Sequence, residues 1–281
     1  MRSMAEIMAE LQEKAKQFSK EEQDGLNLEI HQCERCKDKG GTFEKKIDDE
    51  QGITAGKTYE IWVECGCAKV SRINNLLKSS EITEAFKQMG FGNFILDGKE
   101  QVIKDAHNCA LTYFKNYESI KEDRTNSIAL LGQAGAGKTH LLTAIANNLI
   151  QKKLVSVLYF PYVEGFNDLR DDFDLLETKL NRMKTVDVLF IDDLFKPVNI
   201  QTKEGPYKKP QATEWELKQL FSVINYRYLN HKPIMVSSEL DIDGMIDLDE
   251  ALTTRIAEMC ENFMVVVHGE KKTLNYRLRN F

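Results

Sequence analysis

Long apolar runs are missing from this chain: no stretch of its 281 residues approaches membrane-spanning length, so a transmembrane helix is not expected. Internal repeats and long low-complexity tracts are missing too, which sets aside repeat architectures. A basic excess is absent: 38 Lys and Arg against 44 Asp and Glu give a formal charge of −6. General coating of nucleic acid is thereby disfavoured, and any such contact has to come from a local basic surface. The opening MRSMAEIMAELQEKAKQF reads as a charged amphipathic helix rather than a secretion signal, which points to the cytoplasm. Proline is scarce, with five in all, and three of them crowd between Lys196 and Gln211.

What is present begins with Gly132, Gln133, Ala134, Gly135, Ala136, Gly137, Lys138 and Thr139. This is the G-x-x-x-x-G-K-[ST] phosphate loop, set between an apolar run (127–131) and a helix-like run from His140. Its glycines let successive N–H groups turn toward phosphate oxygens, and the following helix adds its positive end. Lys138 is expected at the β/γ-phosphates and Thr139 at Mg²⁺, so a bound ATP or GTP is implied.

A second apolar strand, Val186 to Ile191, delivers Asp192 and Asp193 to its C-terminal edge, where open α/β sheets bind ligands. Asp192 is the expected Mg²⁺ partner and Asp193 the group that polarises the attacking water. Helix and strand patterns alternate from about residue 98, which predicts a parallel sheet with helices on both faces. The predicted strands are 127–131, 155–160, 186–191, 233–237 and 263–268. The next strand end, Ser237-Ser238-Glu239, places a further polar group near the γ-phosphate. Arg255 and Arg277 are candidate γ-phosphate cations.

Cysteines are few, six in all, but four form a pattern: Cys33-x-x-Cys36 and, after a hairpin-length gap, Cys65-x-Cys67. In a reducing compartment this clustering points to a tetrahedral Zn²⁺ site rather than disulfides. A full sulfur shell makes the zinc structural, and the small apolar content of 29–70 explains the need for it. His31 is an alternative ligand, and Cys109 and Cys260 read as core packing. Lys196 to Gln211 holds four lysines against one glutamate, with Tyr207 among them. It reads as a long basic loop suited to single-stranded DNA, or simply as a solvated insertion. Glu164 to Met183 is expected to contain a strongly acidic helix with Asp168, Asp171, Asp172, Asp174 and Glu177, an unfavourable face for DNA, and Phe91 and Phe94 flank the adenine or anchor the linker.

In order, the phosphate loop through His140 and Leu141, the Asp192-Asp193 strand end, Ser237-Ser238, Thr254-Arg255-Ile256 and Asn275-Tyr276-Arg277 resemble AAA+ ATPases, and among them DnaC/DnaI-type replicative helicase loaders of the phage type. The resemblance implies an AAA+ P-loop NTPase domain at 79–281, preceded by a helicase-interacting zinc-binding domain and linker at 1–78. It implies ATP, Mg²⁺ and Zn²⁺ as cofactors, with residues 132–140 binding nucleotide. Arg255 becomes a finger toward a neighbour's ATP, and Arg277 contacts nucleotide in its own subunit. The implied function is ATP-dependent loading of a hexameric replicative helicase onto single-stranded DNA, with self-assembly through the ATP sites. An IstB-like transposition-assisting ATPase and a nucleotide-gated adaptor that does not hydrolyse ATP are the alternatives. The family usually carries Asn where Glu239 stands, which implies slow or partner-dependent hydrolysis.

Overall fold

A computed structural model describes residues 33–47, 57–202, 205–209 and 212–278. The expected N-terminal helix and His31 lie outside the described residues. The chain divides into two units, Met1–Val70 and Ser71–Phe281.

In the first unit, strands β1 (Gly41–Ile47) and β2 (Thr58–Glu64) pair antiparallel, with Phe43 opposite Trp62. Cys33 and Cys36 precede the hairpin; Cys65 and Cys67 follow it at the start of helix α1 (Gly66–Ser79). The hairpin thus brings the two cysteine pairs to one end.

The second unit opens with α2 (Glu84–Lys87), a 3-10 turn at Phe91–Asn93 and α3 (Gln101–Ile120). The alternating body follows: β3 (Ile128–Gly132), α4 (Lys138–Lys153), β4 (Val157–Pro161), α5 (Tyr162–Leu169), α6 (Phe173–Thr185) and β5 (Val188–Leu194). Then come β6 (Val198–Thr202), β7 (Gly205–Lys209), α7 (Glu214–Leu229), β8 (Ile234–Ser238), α8 (Ile242–Ile246), α9 (Glu250–Met259), β9 (Met264–Val267) and α10 (Lys271–Leu274). The sheet runs β4-β5-β8-β3-β9, parallel throughout. Strands buried on both faces read as unbroken apolar runs, which is why the five strands stand where the sequence predicts them. Apolar clusters fill both sides of the sheet.

Two expectations are corrected. The segment after Lys196 is a hairpin rather than a loop: β6 and β7 pair antiparallel, Val198 opposite Lys209 and Gln201 opposite Pro206. Both strands of a two-stranded ribbon are edges, so Pro206 costs no interior ladder bond, while Pro197 falls outside the strands. The acidic stretch is two helices, because Asp172 caps a new N-terminus by accepting from the Leu175 N–H.

Candidate nucleotide site and cysteine cluster

β3 and β5 neighbour β8 from either side, so their C-terminal ends converge on one cavity of about 700 Å³. That volume lies within the range of small-molecule sites. The phosphate loop curls along its wall. Gly137, at the N-cap of α4, has φ +84, and a Cβ there would lie 2.6 Å from the Phe94 ring, so no side chain fits. Gly135, φ +77, accepts the Tyr276 N–H at 2.9 Å, tying the C-terminal segment to the loop. The Lys138 ammonium is buried and donates to the Gly132 and Gln133 carbonyls at 2.7 and 2.8 Å. His140 Nε2 meets the Gly90 carbonyl and Asn93 Oδ1 at 3.0 and 3.1 Å, so its ring braces the linker turn.

Asp192 is the hub. Its Oδ1 accepts from Thr139 at 2.9 Å and Ser237 at 2.5 Å, and its Oδ2 from the Tyr159 hydroxyl at 3.2 Å. Phosphate loop, β4, β5 and β8 are thus joined through one carboxylate that is 6% exposed. Burial raises its pKa; the hydroxyls oppose that rise only in part. A carboxyl raised this way holds a divalent cation well, because the cation supplies the missing counter-charge.

Asp193 is held differently. It has φ +54, in the left-handed region that non-glycine residues avoid, and the β5–β8 register shifts between Ile191 and Leu194. Its N–H donates to Ser237 Oγ at 2.8 Å, and its Oδ2 pairs with Lys196 Nζ at 2.5 Å. Both side chains line the cavity, as does Glu239. Phe94 also lines it, stacked on His107, while Phe91 packs against His107 and Phe114. Of the two expected aromatics, only Phe94 faces the cavity.

Arg255 does not line this cavity. On α9 its Nε donates to Asn225 Oδ1 at 3.0 Å and its Nη1 to the Ala251 carbonyl at 2.6 Å. Its guanidinium lies 5.0 Å from the Phe221 ring centroid and 5.6 Å from that of Tyr228. Arg277 falls in a 3-10 turn (Tyr276–Leu278) whose Tyr276 lines the cavity. Sequence reasoning missed Tyr159, Lys196 and Asn225 as site residues. Tyr159 reads as an ordinary strand aromatic, Lys196 as part of the basic segment, and Asn225 lies 30 residues from Arg255.

In the first unit the four cysteine sulfurs lie within 4.8 Å of one another. Cys33 and Cys65 sulfurs are 3.7 Å apart, and Cys36 and Cys67 sulfurs 3.2 Å. Tetrahedral zinc with Zn–S bonds of about 2.3 Å would separate its sulfurs by about 3.8 Å, so the donor set fits that ion. The Cys36 backbone N–H, with the neighbouring thiols, holds the Cys33 thiol down to about 7, so a thiolate is accessible near neutral pH. Cys260 is buried and Cys109 half-buried, apart from this cluster.

Residues 86–260 match the bacterial DnaA ATPase domain. The chain belongs to that ATPase family. Over 277 residues it is 50% identical to the phage-like element PBSX protein XkdC of Bacillus subtilis (strain 168), covering 99% of this chain and 97% of that protein. Among solved structures it is similar to DnaI, with a TM-score of 0.52 at 22% identity over 67% of this chain and 95% of that one. It is also similar to the DnaC helicase loader, with a TM-score of 0.51 at 21% identity over 66% of this chain and 100% of that one. These likenesses show a shared fold, that of the DnaA-type ATPase domain.

Proposed function

We propose that the protein is a phage-type, ATP-dependent loader that places a hexameric replicative helicase on single-stranded DNA in the cytoplasm. The observation that carries this reading is the Thr139–Asp192 contact beside buried Lys138, within a fold shared with DnaI and DnaC. ATP binds along residues 132–140, with Lys138 at the β/γ-phosphates and Thr139 and Asp192 holding Mg²⁺. An ion held by Thr139 and Asp192 would offset the negative charge that develops during phosphoryl transfer. Asp193 accepts a proton from, or orients, the attacking water. Arg277 serves its own subunit's nucleotide. Arg255, held outside its own cavity, is offered to a neighbouring subunit's γ-phosphate, so hydrolysis depends on assembly. Residues 1–78 form the docking domain, folded around zinc on Cys33, Cys36, Cys65 and Cys67. The exposed Phe43, Ile47 and Trp62 of its hairpin supply apolar area for the helicase. The ATPase domain spans 79–281.

The test is co-purification of the full chain with candidate replicative helicases, with and without ATP. Nucleotide-dependent capture of a hexameric helicase, lost in Lys138→Ala, is expected; capture of a transposase instead favours an IstB-like role. One observation supports a second reading: Glu239 in the cavity repels a γ-phosphate, which suits a nucleotide-gated adaptor with little or no turnover. Single-turnover hydrolysis separates the two.

A further inference from the structure

Lys196 stands where two features meet. It leaves β5 three residues after the catalytic carboxylate Asp193, and only Pro197 separates it from β6 of the basic hairpin. Its Nζ pairs with Asp193 Oδ2 at 2.5 Å, and its N–H closes a turn onto the Asp193 carbonyl at 3.2 Å. Glu239 and Glu164 also face this ammonium and, with Asp193, raise its pKa, so it stays charged. The lone pair of Asp193 Oδ2 engaged by Lys196 is not available to an attacking water.

The connecting segment is strained rather than relaxed. Asp193 and Phe195 both have φ +54, flanking Leu194 at the register shift. Such residues persist only where their surroundings hold them. Phe195 supplies the fixed point: it is fully buried and packs edge-on to Tyr162 at 5.5 Å. Lys196, by contrast, is 45% exposed, so its ion pair is screened and breakable. Movement at the base of the hairpin therefore reaches Lys196 before it reaches the core.

We propose that Lys196 restrains Asp193 in the resting chain, and that single-stranded nucleic acid engaging the β6–β7 hairpin draws Lys196 away and frees the carboxylate. The inference rests on the loader reading for its ligand but not for the restraint itself. Lys208 and Lys209 on β7 give the hairpin the positive charge such a ligand needs. Lys196 is thus a positioning residue that couples the nucleotide site to the hairpin.

The test compares Mg-ATP turnover by the full-length wild type, Lys196→Ala and Lys196→Arg, with and without a single-stranded thymidine oligonucleotide. Without DNA, Lys196→Ala is expected to raise kcat about five-fold at unchanged KM, the scale of one half-exposed ion pair. Lys196→Arg should keep the low basal rate. The oligonucleotide should stimulate the wild type and add little to Lys196→Ala. A kcat that falls or stays level in Lys196→Ala overturns the restraint; a fall would show that Lys196 serves the phosphates instead. Equal stimulation of both proteins overturns the coupling to the hairpin. Absence of turnover from wild type and Lys196→Ala alike, despite bound nucleotide, also sinks the proposal. Failure to capture a helicase would refute the loader and leave these rates unaffected.

Discussion

The two units are held together by different physics. Among the described residues of 33–70, only Cys36, Gly41 and Cys65 are buried, and Phe43, Ile47, Tyr59 and Trp62 are exposed. The ATPase unit instead encloses its parallel sheet between two apolar clusters. A hairpin with so little core does not offset the conformational entropy of ordering its chain. The described part of the first unit would depend on a metal held by its cysteines, as proposed, and the second depends on area removed from water. The difference lets the two units gain or lose structure separately.

The strongest way to break this comparison is to remove the sulfur ligands. Cys33→Ser with Cys36→Ser should release about one zinc per chain and with it roughly 10 kcal/mol of binding free energy that supports the fold of 33–70. Metal analysis and hydrogen exchange read the result. Amides of β1 and β2 should lose protection while those of β3, β5 and β8 keep theirs. A metal-free variant with a protected hairpin would show that packing suffices there too.

The contrast recurs on a smaller scale within the ATPase unit, between a group that acts and the group that holds it. Arg255→Ala should lower kcat about 10³-fold, the lower end for a lost arginine finger, with nucleotide affinity nearly unchanged. Asn225→Ala removes one charge-assisted hydrogen bond to Arg255 but leaves the Phe221 and Tyr228 rings beneath it, so roughly a ten-fold loss is expected. Titrating Arg255→Ala against a Lys138→Ala partner checks that the arginine works in trans: mixed assemblies should recover part of the rate. Equal losses in the two single variants would mean that the aromatic support contributes nothing.

How far the sequence carried this picture follows from what each element depends on. The five core strands were legible because each is a continuous apolar run, and the phosphate loop because its glycines and Lys138 lie within eight residues. The cysteine cluster was legible because a hairpin joins its two pairs. The β6–β7 hairpin was not, since proline counts against strands in general and only the two-stranded ribbon makes Pro206 tolerable. Nor was the bonding around Asp192. Tyr159 lies 33 residues before it and Ser237 45 residues after, and only the β4-β5-β8 order brings them together. The Lys196–Asp193 pair was hidden for a different reason: it depends on a left-handed residue at Asp193 that no local signal marks.

Asp192 gives the smallest expected effect and the finest comparison, because there a charge sits inside a region otherwise stabilised by burial. Desolvation raises its folded-state pKa above the value in the unfolded chain, with Ser237, Thr139 and Tyr159 hydroxyls opposing. The native state therefore holds that proton more tightly than the unfolded state. Its contribution to stability is full below the unfolded pKa and is lost as pH rises through the folded one. Without nucleotide or Mg²⁺, Asp192→Asn should melt at a slightly higher temperature than the wild type at neutral pH, and the two curves should converge in acid. The amide oxygen can still accept from Thr139 and Ser237, so the bonding around it survives. With Mg-ATP the order should reverse, because only the carboxylate can hold the cation, and the ligand-dependent rise in Tm should belong to the wild type alone. That rise should fade on acidification at a pH above the usual carboxylate range. An Asp192→Asn protein less stable than the wild type in the absence of ligand would mean that the hydroxyls, not burial, dominate at Asp192.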